Sequence, residues 1–172
     1  MLWRITRSAF AILSASASGL SEDGLKQHLR CAFPHLPASN ATVHPQILAN
    51  YMRPLNAAPA CLLMKPAPAL WSWLSQPHDF HVDVLDGHKI LAAAYLLKIA
   101  QQCESVADQP TLRTVVAQLL VDTSDANKLK RIRFPIVDAC ESNCSISAMA
   151  SFAAFLVHAR HIQSVQSIEA RA

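Results

Sequence analysis

The stretch from Asp86 to Cys103, DGHKILAAAYLLKIAQQC, is apolar around most of its helical girth, and no other feature constrains the fold as much. Its alanines and leucines are strong helix formers, and Asp86 is a suitable N-cap. Leu91, Ala94, Tyr95 and Lys98 follow one stripe, flanked by Ile90, Leu97 and Ile99. A helix without a polar face has nowhere to meet water, so it needs neighbours on most of its sides. These residues therefore call for a central, buried helix surrounded by others.

The flanking segments supply those neighbours. Ser21 is placed to cap a short helix with Glu22 and Asp23 in its first turn, Leu25, Leu29 and Ala32 on its inner face, and Pro34 ending it. Pro45 is placed to open a helix through Met52, closed by Pro54. Ala67 to Leu74, APALWSWL, reads as a short apolar helix bearing Trp71 and Trp73. Pro110 to Val121 carries a helical stripe of Leu112, Val115, Val116, Leu119 and Leu120, and a basic helix then runs to Pro135. A last helix spans about Ser145 to Ile168, apolar in its first half and polar in its second. With 3 glycines against 10 prolines, the chain has the punctuation of helices rather than of β-hairpins. The expectation is an all-α fold, an irregular bundle or array of about six to eight helices. No convincing repeat of about 30–45 residues is present, so a regular solenoid is not expected.

The first twenty residues, MLWRITRSAFAILSASASGL, have a different character. Leu2, Ile5, Ala9, Ile12 and Leu13 fall on one helical face, Arg4, Arg7, Ala11 and Ser14 on the other, and no acid precedes Glu22. An amphipathic, arginine-bearing, serine-rich, acid-free start is the pattern of a mitochondrial or plastid import leader, the mitochondrial one being preferred. Two other readings fit part of it. Ala15-Ser16-Ala17 resembles a secretory cleavage site, although serines soon interrupt the apolar run, and the segment could also be the first helix of the fold. Asn40-Ala41-Thr42 is a glycosylation sequon, meaningful only in a secreted chain. The expected organisation is a leader over 1–20 and a single helical domain over 21–172.

Several constellations resemble chemistry. Cys140-x3-Cys144 followed by His158-x2-His161 has the ligand order of a zinc finger. Thirteen residues separate the pairs, however, and the histidines stand closer than in that pattern. Ser145 to Val157 reads as helix almost throughout, so no metal site is expected. His78-Asp79-Phe80-His81, with Asp83 and Asp86 nearby, could ligate a metal or form an acid–base pair. Its position after Pro77 and between helices instead suggests a solvated connection whose aspartates cap the next helix. Lys128, Lys130, Arg131 and Arg133 form the only basic run, but they spread around a helical wheel. Of the net charge of +3, Arg4 and Arg7 carry two units, leaving too little positive excess for a dedicated nucleic-acid binder. The five cysteines, Cys31, Cys61, Cys103, Cys140 and Cys144, do not form a secreted disulfide framework, and nothing marks Cys61 or Cys103 as an activated nucleophile. No glycine-rich phosphate loop or nucleophile elbow is present, so neither catalytic nor cofactor-binding residues are expected.

Hydrophobic residues make up 52% of the chain and charged residues 16%, against about 25% charged in ordinary soluble domains. The longest apolar run, Ile146 to Val157, is shorter than the ~20 residues of a membrane span. The surplus apolar surface therefore points to protein partners, with membrane proximity but no transmembrane helix. Leu70, Trp71, Trp73, Phe152 and Phe155 are the residues expected to meet them. The functional expectation is a non-catalytic accessory subunit of a large mitochondrial assembly, in the matrix or on the matrix side of the inner membrane. A respiratory-chain or ATP-synthase complex comes first, a peripheral mitochondrial ribosomal protein second, and a free-standing helical enzyme or small-molecule carrier third.

Overall fold

The computed structural model describes residues 2–34, 52–54, 64–102 and 146–169. Of these, 76% are helical, in five helices. In chain order the elements are α1 (Leu2–Ala15), α2 (Glu22–Ala32), β1 (Met52–Pro54), β2 (Met64–Pro66), α3 (Pro68–Leu74), α4 (Val84–Gln102) and α5 (Ile146–Glu169). The expected helices over 110–121 and up to Pro135 lie outside the described residues, as does Leu119. The chain forms two compact units, residues 1–88 and 89–172, with the boundary inside α4.

The first unit is built around α1. Ile5, Ala9, Phe10, Ile12, Leu13 and Ala15 are buried, and α1 packs on α2 and on β2. The face that the sequence marks as polar is partly covered. Ala11 is buried, because Gly87 in the first turn of α4 lies against its backbone. Arg7 on the same face reaches Asp86 at 3.5 Å, whereas Arg4 stays exposed. After α1 the backbone turns through Gly19, whose φ of 75° is left-handed and suits glycine. The Ser16 hydroxyl donates to the Gly19 carbonyl at 3.0 Å and steadies this turn.

α2 begins as its sequence dictates. The Gly24 N–H donates to the Ser21 hydroxyl at 3.1 Å, and Glu22 and Asp23 occupy the first turn. Lys26 pairs with Glu22 at 2.8 Å one turn along, an exposed contact of small worth. Leu25 and Leu29 point inward, and the Phe33 N–H closes the helix on the Leu29 carbonyl before Pro34.

The expected helix ending at Met52 is not the end that forms: Met52 belongs to β1, while residues 45–51 lie outside the described residues. β1 and β2 pair antiparallel, Met52 opposite Pro66 and Pro54 opposite Met64. A residue before proline is pushed out of the α region, which favours extended backbone at Arg53 and Lys65. Proline also lacks the N–H that would carry a ladder further, so the pairing stays minimal. α3 follows with Pro68 in its first turn and Leu74 buried.

α4 starts two residues earlier than expected. Its cap is Asp83, whose carboxylate accepts the Leu85 N–H at 2.8 Å; Asp86, expected in that role, sits in the first turn instead. In the second unit, α4 buries Lys89, Ala92, Ala93, Leu96 and Ile99, together with Ile90 and Leu91. Of the expected stripe, Leu91 is fully buried and Ala94 and Tyr95 are half-buried, whereas Lys98, like the flanking Leu97, is exposed. A helix apolar on every side carries no directional signal, and here the small alanines mark the close-packed face. α5 buries Ser151, Phe155, His158 and Ile162 at helical spacing, flanked by Phe152 and Ala159.

Candidate functional site

The most distinctive surface of the first unit is an aromatic group on the loop between α3 and α4. Residues 75–82 leave α3 and return, closed at the base where the Val82 N–H donates to the Leu74 carbonyl at 2.9 Å. Both residues at that base are buried, so the loop stands on a fixed footing. Within it, the His78 ring stacks on Trp73 with centroids 4.3 Å apart. Phe80 lies 6.0 Å from Trp73 and meets Trp3 of α1 edge-on at 5.1 Å, an arrangement favoured by aromatic quadrupoles. Trp73 is 47% exposed and Phe80 49%, although both are held by ring contacts.

Hydrogen bonds lock the loop in place. His78 Nε2 lies 2.8 Å from the Trp73 carbonyl, and the Phe80 N–H donates to His78 Nδ1 at 2.9 Å. An amide N–H can only donate and a carbonyl can only accept, so the imidazole is the neutral form protonated on Nε2. His81 Nδ1 lies 3.1 Å from the Gln76 carbonyl and must carry a proton there, while the His81 N–H donates to the His78 carbonyl at 2.9 Å. The two histidines therefore serve the backbone of their own loop. This arrangement presents rigid, flat apolar surface beside hydrogen-bonding groups already in use, and it suits contact better than proton transfer. Among the described residues, no three His, Cys, Asp or Glu converge in a way that could hold a metal ion.

The residues expected to meet a partner separate into two groups. Trp73 is exposed, while Leu70 and Trp71 are half-buried. Phe152 and Phe155 are buried in the second unit, their rings stacked at 6.4 Å, so they do not form part of an outer surface. Their place in an apolar run hid the fact that they fall on the inward side of α5. Trp3 and Phe80 complete the aromatic group; Phe80 stands in the sequence only within the His78-Asp79-Phe80-His81 cluster, and neither ring is among those expected to meet a partner. The available signal was a lone phenylalanine in an otherwise polar loop.

The zinc-like constellation is only half described. His158 is buried and stacks on Tyr95 with centroids 5.8 Å apart and an interplanar angle of 7°. Burial pushes the Tyr95 hydroxyl above its ordinary pKa. His161, three residues further on, is exposed. Cys140 and Cys144 lie outside the described residues, as do Cys61, Cys103 and the basic run at Lys128, Lys130, Arg131 and Arg133. Cys31 on α2 is half-buried, and burial pushes its thiol up to about 11, away from the thiolate that a nucleophile needs. Among the described residues no helix is long and apolar enough to cross a membrane. No protein-family model, curated protein or solved structure matches the chain.

Proposed function

We propose that this chain is a non-catalytic accessory subunit of a large mitochondrial assembly and docks through the aromatic face of its first unit. The observation behind this reading is the pairing of order with exposure at Trp73 and Phe80. Both rings are fixed by neighbours yet about half accessible, and pre-ordered aromatic anchors lose little entropy on binding. The apolar composition, 52% of residues, supports the same reading. The arginine-bearing α1, free of acids, supports import, and a respiratory-chain or ATP-synthase complex is the favoured assembly.

Gentle detergent extraction followed by size fractionation tests the proposal. An accessory subunit migrates at high mass with a membrane complex, and Trp73→Glu releases it. Migration with ribosomes that is reversed by high salt would favour a peripheral mitochondrial ribosomal protein instead. Migration alone, at the mass of the chain, would remove the accessory-subunit reading and leave a free-standing enzyme or carrier.

A further inference from the structure

We propose that loop 75–82 is a proton-sensitive latch: it holds Phe80 in the aromatic face while His78 is neutral and releases it when His78 Nδ1 takes up a proton. The geometry sets a different proton requirement at each bond. At Nε2, 2.8 Å from the Trp73 carbonyl, the ring donates, and it does so whether neutral or cationic. At Nδ1 the ring accepts from the Phe80 N–H at 2.9 Å, which only the neutral form can do. In the imidazolium, two N–H groups would face each other across that distance. One donor has to move, and the Phe80 side is the freer to do so.

Two features hold the ring at the Trp73 end in the cationic state. The carbonyl it contacts belongs to the C-terminal turn of α3, which is short, but whose exposed carbonyls still favour a cation locally. A cationic imidazole stacked on an indole face is also favoured, and the Trp73–His78 separation of 4.3 Å allows it. Protonation therefore keeps His78 on α3 and loses Phe80. The remaining loop bonds do not depend on this proton. The Val82 N–H to Leu74 carbonyl and His81 N–H to His78 carbonyl bonds are backbone contacts, and His81 donates from Nδ1 in either state. The movable part is then the turn at Asp79 and Phe80, with the edge-on contact to Trp3.

The charged or titratable groups on the neighbouring segments are Asp79 and His81 on the loop, Asp83 and Asp86 at the start of α4, Arg4 and Arg7 on α1, and Lys65 on β2. α3 carries none. Among the described residues, none of these forms an ion pair with the imidazole. The Phe80 bond thus needs an unprotonated Nδ1 and is lost when that nitrogen takes up a proton.

Nitrogen-15 NMR of the full chain between about pH 8 and pH 5 tests the latch. At the upper end His78 should carry its proton on Nε2. As Nδ1 gains a proton, the Phe80 amide resonance should move on the same titration curve, and the Phe80–Trp3 ring contact should weaken several-fold. His78→Asn supplies an acceptor for an N–H two residues on without titrating, so it should keep the contact at both ends of the range. His81→Asn should leave the wild-type step in place. The proposal is overturned by a Phe80–Trp3 contact that persists with His78 protonated, by a step that survives in His78→Asn, or by an Nδ1–H tautomer at the upper pH. The wild-type measurement decides alone if a variant does not fold.

Discussion

Gly87 in the first turn of α4 lies directly against the carbonyl of Ala11 in α1, and a Cβ at position 87 would overlap that carbonyl and come within 2.9 Å of the Ala15 Cβ. Backbone on one side and backbone on the other leave no flexible side chain to give way. Alanine ordinarily improves a helix interior by about 1 kcal/mol over glycine. Here overpacking should outweigh that gain, and Gly87→Ala should destabilise the first unit by about 1–3 kcal/mol. Ala11→Gly should not rescue it, because the obstacle is the Ala11 main chain. A thermal or denaturant melt of the single and double variants checks both statements. A Gly87→Ala protein as stable as the wild type would mean that the helices do not meet at this spacing.

The two faces of α1 should respond very differently to substitution. Ile12 and Leu13 are wholly buried, so either one changed to Ala should cost about 2–5 kcal/mol. Arg7 and Asp86 pair at 3.5 Å with both side chains substantially exposed, so losing the pair should cost about 1 kcal/mol or less, and the like-charge contact made by Glu at position 7 adds a similarly small cost. That asymmetry makes the import test interpretable. Arg4→Glu with Arg7→Glu should abolish delivery of a reporter fused to residues 1–20, while the full-length variant still folds. With so much of α1 in the core, the proposed leader should also remain attached. N-terminal sequencing of the protein recovered from cells should therefore find α1, and a start near Ser18 would contradict its role in the fold.

Cys31 offers a pH-dependent readout. Burial raises its thiol from 9.0 to about 11, so the folded state binds that proton more tightly than the unfolded chain does. The contribution of this thiol to stability is whole below pH 9.0 and is lost as pH rises towards about 11. Alkylation mapped to Cys31 by mass spectrometry should stay slow at pH 9.0 in the native protein and become fast in denaturant at the same pH. Equal rates in both states would show that α2 does not shield the thiol.

The elements that sequence reasoning recovers here are those whose signals are local. Ser21 with Glu22 and Asp23 defines the start of α2, and Pro68 defines the start of α3, because caps and proline act on their immediate neighbours. What escapes is set by partners distant in sequence. Which side of α4 is buried depends on what packs against its alanines, and an all-apolar helix carries no such information. Ala11 reads as part of a polar face because Gly87, which lies against its backbone, is 76 positions away. The aromatic site was half legible. Trp73 stood out by its apolar crowding, but Trp3 and Phe80 join it only once the loop folds back towards α1.

The sharpest contrast lies between Trp73 and Phe155, both of which the sequence alone marks as residues to meet a partner. Trp73 is 47% exposed and its structural duties fall largely to its main-chain carbonyl, which any residue supplies. Phe155 is fully buried, stacked near Phe152, on the inward stripe of α5. Trp73→Glu should therefore forfeit the stack on His78, costing about 0.5–1.5 kcal/mol, and leave the chain folded. Phe155→Ala should cost about 3–5 kcal/mol, and Phe155→Glu should cost more by stranding a carboxylate away from water. Circular dichroism melts on the purified variants measure folding, and fractionation of extracts measures association. Trp73→Glu should keep a native melt and leave the high-mass fraction. Phe155→Glu should disappear from both. A Trp73→Glu chain that stays in the assembly would move the docking surface off this aromatic face, and a Phe155→Ala chain with an unchanged melt would place that ring outside the core.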